Sequence, residues 1–261
     1  MKFIDCSACI GESSINRKIV NHENYPVFEK VKQPKNAKEL LAEMDFNGID
    51  EAIVYNTAML DVAPNYGNNV LLSNKENYTG RLHATLTVLP TKYERDFQLE
   101  KLINTMKTYK VVGLRAFPKD CRFMLDKITC GDLLDYMISS NLPLYLSPQD
   151  GWEMIFNVLK EFPKLTVIIT NYGLWGSDRY VYPLVDNYEN VYIDTSDFQE
   201  IIGIQAFVER FGSEKMLFGT NYPMCNMGGP IATLMGAKIS IDDKENIAHR
   251  NIERLINSIK L

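Results

Sequence analysis

Eight short runs of apolar and β-branched residues recur along the chain, with helix-forming segments between them. The runs are FIDCSA (3–8), EAIVYN (51–56), HATLTV (83–88), VVGLRAF (111–117), LPLYLS (142–147), LTVIIT (165–170), VYIDTS (191–196) and KMLFGT (215–220). Ala37–Asn47 sets Leu40, Leu41 and Met44 on one helical face and stops at Gly48. Helical spacing also marks Tyr93–Tyr109, Cys130–Ser140, Trp152–Phe162, Phe198–Phe211 and Asp242–Ile259. Strands that alternate with helices pair in parallel and are covered on both faces, so they read as nearly continuous apolar runs. With 261 residues over eight repeats, each unit has about 33 residues. The pattern predicts an α/β fold, a single (β/α)8 TIM barrel spanning 1–261 as one domain. An open doubly wound sheet is disfavoured, because CSACIGESS after the first strand has one glycine and no GxGxxG phosphate loop.

Composition narrows the partners. With 28 Lys+Arg against 33 Asp+Glu, the net charge of −5 argues against a nucleic-acid binder. No apolar run reaches the roughly 18 residues that span a bilayer, and MKFIDCSACIG is too short and polar for a signal peptide. Five scattered cysteines do not form a disulfide framework. Free thiols point to a reducing, cytoplasmic setting.

Barrel enzymes carry their chemistry at the C-terminal ends of the strands. Those ends offer Asp5, Ser7 and Cys9 (read as one parity), Asn56, Arg115, Ser147, Asn171, Asp194, Asn221 and Tyr222. The longest irregular stretch, 11–34, is a top-face loop on this reading. It contains His22, one of only three histidines, with His83 at the bottom of the third strand and His249 on the last helix.

The sequence resembles the amidohydrolase superfamily, in the branch of amidohydrolase-related, metal-dependent hydrolases and decarboxylases. The motifs run almost the whole chain: FIDCSACIG, NYGNN (65–69), RLHATLTVLP (81–90), KVVGLRAFP (110–118), FPKLTVIITNYG (162–173), NVYIDTS (190–196), LFGTNYP (217–223) and RNIERL (250–255). The resemblance implies the barrel fold, often self-associating, and a divalent metal, usually zinc. That metal would be held by two histidines on strand 1, one each on strands 5 and 6, and an aspartate on strand 8. At those positions this chain has Ser7, Cys9, Ser147, Asn171 and Asn221, with Arg115 at the strand-4 position. Amides and hydroxyls are poor zinc ligands, and a fixed guanidinium repels a cation. The expectation is therefore no metal and no cofactor. A site assembled elsewhere from His22, Cys9, Cys225 and acids is the competing option.

The expected function is that of a divergent hydrolase or decarboxylase acting on a small anionic amide, lactone or carboxylate compound without the family's metal. The alternative is a catalytically inactive relative that binds a small ligand or a protein partner. Cys9, Asp194 and Asp5 are the candidate catalytic groups. Cys9 pairs with His22 if it acts as a nucleophile. Ser7, Arg115, Ser147, Asn171, Asn221, Tyr222 and Trp175 are the candidate substrate-binding residues. Arg115 needs an anion. Either Asp5 or Asp194 pairs with it, which is the favoured option, or a ligand does. Cys6-x-x-Cys9 reads as buried structural thiols, and the aromatics after the strands, including Trp152 and Tyr172, serve equally well as loop packing.

Overall fold

The fold was obtained as a computed structural model, which describes residues 1–11, 33–73, 80–172, 178–197 and 201–261. Eight parallel strands follow one another around the sheet in chain order: β1 (Ile4–Ile10), β2 (Glu51–Asn56), β3 (Leu82–Thr87), β4 (Gly113–Arg115), β5 (Leu144–Leu146), β6 (Val167–Ile169), β7 (Val191–Asp194) and β8 (Met216–Leu217). The seam between β8 and β1 is closed just past the end of β8. Cys6 N donates to Phe218 O at 2.9 Å, Cys9 N donates to Tyr222 O at 3.0 Å, and Ala8 bridges in parallel to Tyr222. The chain is a (β/α)8 barrel, as the run spacing predicted.

Alternation along the strands builds two apolar layers. Leu144 and Leu146 of β5, with Val167 and Ile169 of β6, face the surrounding helices. Tyr145 and Ile168 between them point inward, where they meet Ile4, Cys6, Ile53 and Leu217. The longer helices are α1 (Ala37–Asn47), α2 (Pro64–Ser73), α3 (Leu99–Tyr109), α4 (Lys127–Ser140), α5 (Trp152–Glu161), α6 (Asp178–Asn187), α7 (Ile201–Phe211), α8 (Gly228–Gly236) and α9 (Asn251–Ser258), with short helical turns at Ala58–Asp61, Pro118–Cys121 and Ile241–Glu245.

Local chemistry explains their limits. The Asn36 side chain caps α1 by accepting from Glu39 N, and Gly48, at φ 74°, ends it where expected. Asp126 caps α4 and starts it at Lys127, ahead of the expected Cys130. The segment expected as one helix from Tyr93 begins only at Leu99, after a short 3-10 turn at Arg95–Phe97. The last helix is not continuous over Asp242–Ile259. A π turn at Asn246–Arg250 interrupts it, and the carbonyl of Ile247 accepts instead from Phe218 N at 2.9 Å. Helices α6 and α8 escaped the periodicity because Pro183 lies inside one and Gly228, Gly229 and Pro230 open the other.

A β-bulge in β1 shapes everything above it. Asp5 pairs with Ala52 and Ala8 with Val54, so three steps along β1 match two along β2. The expectation that Asp5, Ser7 and Cys9 share one face is therefore corrected. Asp5 takes the side of outward-facing Ala52. Cys6 lies in the inner layer, and Cys9, opposite Tyr55, faces inward as well. The extra residue reverses the parity.

Candidate ligand site at the barrel mouth

The floor of the mouth is Arg115, the last residue of β4 and 3% exposed. Its Nε donates to Thr85 Oγ1 at 3.0 Å and its Nη2 to the Cys6 carbonyl at 3.3 Å. The guanidinium carbon lies 4.5 Å from the centre of the Tyr55 ring and 4.3 Å from that of Tyr145. Tyr145 is its direct neighbour in the β4–β5 register. Two ring faces thus hold the cation.

The favoured internal ion pair is not formed. Among the described residues, no carboxylate makes an ion pair with Arg115. Both candidate partners are engaged elsewhere. Asp5 accepts from Ser7 N at 3.0 Å, from Thr220 N at 2.9 Å and from the Thr220 hydroxyl. Asp194 accepts from Ser196 N at 3.1 Å, from Ser196 Oγ at 3.0 Å and, more weakly, from the Cys6 thiol at 3.7 Å. Burial raises the pKa of Asp5, against the pull of its hydrogen bonds. Burial likewise pushes Asp194 up to about 7, with Ser196 and Arg115 opposing it.

Above Arg115 opens a cavity of about 440 Å³, within the usual range for small-molecule sites. Of the residues expected there, Arg115, Ser147, Asn171 and Asn221 line it. Ser7, Cys9, Asp5 and Asp194 are not among its lining residues. The Cys9 thiol donates to the Tyr222 carbonyl at 3.5 Å, and burial pushes it up to about 12. Tyr222 packs with the outer apolar layer. Trp152 stacks on Tyr180 with ring centres 5.1 Å apart, and Tyr172 donates its hydroxyl to Asp178 at 2.7 Å, so both aromatics tie elements together. Trp175, His22 and most of the 11–34 stretch lie outside the described residues.

The sequence reading missed several lining residues, Tyr55, Lys119, Asp120, Asp150 and Asp197, and it named Cys225, which also lines the cavity, only for a competing metal site. Tyr55 and Tyr145 could have been found from register, since they stand beside Cys9 and Arg115 on neighbouring strands. Asp197, Asn171 and Asn221 carry φ angles of 61°, 54° and 54°. Asp197 Oδ1 accepts from Asn221 Nδ2 at 3.0 Å and from the Cys225 thiol at 3.2 Å. Burial, reinforced by Asp197, pushes that thiol up to about 12. Among the described residues, no group of three or more His, Cys, Asp or Glu side chains is placed to hold a metal ion.

A parallel eight-stranded barrel with a polar, cation-floored mouth defines the class: an α/β barrel with a ligand cavity at the C-terminal ends of its strands. The family model described as amidohydrolase matches residues 149–257, the C-terminal part of the barrel. Solved structures agree on the fold. A dihydroxybenzoic acid decarboxylase from Polaromonas, with bound manganese and the inhibitor 2-nitroresorcinol, superposes with a TM-score of 0.80 at 16% identity, over 98% of this chain and 97% of that one. An uncharacterized TIM-barrel protein from Bordetella bronchiseptica gives 0.77 at 18% identity, over 99% of both chains. A 5-carboxyvanillate decarboxylase from Sphingomonas paucimobilis gives 0.73 at 15% identity, over 99% of both. No curated protein matches the chain.

Proposed function

We propose that this protein is a divergent amidohydrolase-type enzyme that takes a small carboxylate or related anionic amide or lactone at the barrel mouth and works without the family's metal. The observation that carries the reading is Arg115: a buried cation at the floor of a cavity, with no carboxylate partner among the described residues. A buried charge calls for a counter-charge. A ligand anion supplies it with two-pronged hydrogen bonds that suit a guanidinium. Neighbouring folds support the ligand class. A 2,6-dihydroxybenzoate decarboxylase of the same architecture was solved with its aromatic carboxylate.

The donor set does not fit a divalent metal. Ser147, Asn171 and Asn221 offer neutral oxygens, and the lining carboxylates Asp120, Asp150 and Asp197 are not gathered with a third acid, thiol or imidazole at one point among the described residues. The Cys9 and Cys225 thiols, both pushed up to about 12, stay protonated at neutral pH. Arg115 repels a cation. In this reading Arg115 binds the anion, while Ser147, Asn171 and Asn221 orient the rest of the molecule. Asp194, which exchanges its proton near neutrality, is the acid or base. Asp5, tied to Thr220 and Ser7, holds the β1–β8 seam and is a weaker candidate. Cys9, with its high pKa, is a poor nucleophile.

A second reading, an inactive relative that only binds its ligand, is favoured by one observation: Asp194, Asp5 and Cys9 all lie outside the cavity lining. Metal analysis of protein purified without chelator comes first. Far less than one divalent ion per chain is expected, with carboxylate binding unchanged by chelator. Stoichiometric zinc or manganese would sink the metal-free reading. Turnover of a bound carboxylate, lost in Asp194→Asn while binding persists, separates enzyme from binder.

A further inference from the structure

We propose that the mouth cavity takes a two-ended ligand, with a carboxylate on Arg115 and an ammonium or similar N–H donor against the opposite wall. This rests on the anion-site reading above and adds the far end of the molecule. In an eight-stranded barrel numbered in chain order, β4 stands across from β8. The cation therefore rises from one side of the mouth. The other side is built by the residues just past β6, β7 and β8, namely Asn171, Asp197 and Asn221.

That wall is rich in acceptors with open valences. Asn171 Oδ1 is buried and has no hydrogen-bond partner among the described residues. Asp197 accepts both of its bonds on Oδ1. Its Oδ2 takes no donor from the described residues. On the arginine's own side, Asp120 and Asp150, which follow β4 and β5, add two carboxyl groups to the lining beside one rim cation, Lys119. Burial pushes the Asp150 pKa up, though Lys119 N donates to its carboxylate at 3.0 Å.

A simple monoanion satisfies only half of this cavity. Its remote end lies against Asp197 and leaves Asn171 Oδ1 without a donor, and a buried acceptor without a donor is costly. A molecule that carries both charges meets both walls. Arg115, buried and without a carboxylate partner among the described residues, selects the carboxylate. Asp197 Oδ2 and Asn171 Oδ1 select the donor. The matching class is a small zwitterion of the amino-acid type.

Calorimetry on the full chain tests this with ω-amino acids of increasing length, each beside its n-alkanoate and n-alkylamine. At the best length the amino acid should bind about tenfold to a hundredfold more tightly than its alkanoate, the size of one charge-assisted bond. Asp197→Asn, which keeps the side-chain shape, should erase that margin between amino acid and alkanoate. Arg115→Met should weaken both carboxylates. Equal affinity for amino acid and alkanoate overturns the two-ended site and leaves the anion site standing. Alkylamines that match the amino acids, with no effect of Arg115→Met, overturn the anion site too. Failure of every probe to bind overturns both. The comparison among ligands on the unmodified protein needs no variant to fold.

Discussion

The two ends of the barrel handle charge in opposite ways. At the closed end, Lys2 Nζ lies 2.6 Å from Glu51 and 2.7 Å from Glu253. His83 meets Glu51 at 2.7 Å and His249 meets Glu253 at 2.8 Å. Burial alone would push both glutamates up, but Lys2 together with His83 or His249 outweighs it and holds each carboxyl below its ordinary value. At the open end the balance reverses. Burial dominates, Asp194 is pushed up to about 7, and Arg115 stands without a carboxylate partner among the described residues. The closed end pairs Lys2, Glu51 and Glu253 with one another and with two histidines, while Arg115 at the mouth has no such partner among the described residues. On the proposed reading, that contrast is what a ligand site at the mouth requires.

The largest expected effect is a pH signature of opposite sign at the two ends. A raised folded pKa stabilises the protonated form, so the Asp194 contribution is fully present below about pH 4. It is lost as pH rises toward about 7, by at most roughly 4 kcal/mol. The lowered glutamates work the other way, and their contribution is lost only as pH falls through their folded values. Denaturant midpoints measured from acid to neutral pH should fall for the wild type and flatten in Asp194→Asn. An unchanged slope in the variant would show that Asp194 is not the group being titrated.

Arg115→Met comes next. It should weaken carboxylate binding by about tenfold to a hundredfold, the loss of a charge-assisted pair. Stability should stay within about 1 kcal/mol or rise, because a buried charge without a counter-ion is replaced by an apolar chain of similar length. A large drop in melting temperature would mean that the tyrosine sandwich around Arg115 holds the barrel together rather than a ligand site.

Much of this contrast was legible in the sequence. Short β-branched runs at even spacing set the strand order, and polar residues at the ends of those runs set the mouth. Arg115 stood out because a guanidinium inside a barrel demands an anion. Three things were hidden. The β1 bulge leaves no local signal, yet one extra residue between Asp5 and Ala8 turns Cys9 inward, away from the face that Asp5 takes. The partners of Asp5 and Asp194 lie two residues away or across the seam, so their failure to reach Arg115 depends on backbone geometry that composition does not encode. Tyr55 and Tyr145 read as ordinary strand core, and only the register places them on either face of the cation.

At the closed end, Glu51→Gln should cost about 1 kcal/mol or less, because its partners are partly exposed and solvent screens them. The loss should shrink with added salt, and ligand affinity should not move. A change in affinity would mean that the two ends are coupled through the inner layer, and the contrast drawn here would fail.

The smallest effect concerns backbone rather than charge. Six non-glycine residues have positive φ among the described residues: Lys110, Arg122, Asn141, Asn171, Asp197 and Asn221. The first three cap helix C-termini, where that conformation is common. The last three all line the cavity, and none of the ionic network at the closed end is among them. Left-handed backbone costs an ordinary L-residue roughly 1–2 kcal/mol, less for asparagine and nothing for glycine. Asn171→Gly should therefore leave stability within about 0.5 kcal/mol, as relieved strain is offset by greater unfolded-chain freedom. Asn171→Ala should be less stable than the glycine variant by about 1 kcal/mol. Both variants remove the Oδ1 acceptor and should lose the same share of ligand affinity. Equal stability of the two would place position 171 outside the left-handed region. Different affinities would mean that the backbone, rather than the amide oxygen, carries its contribution to the site.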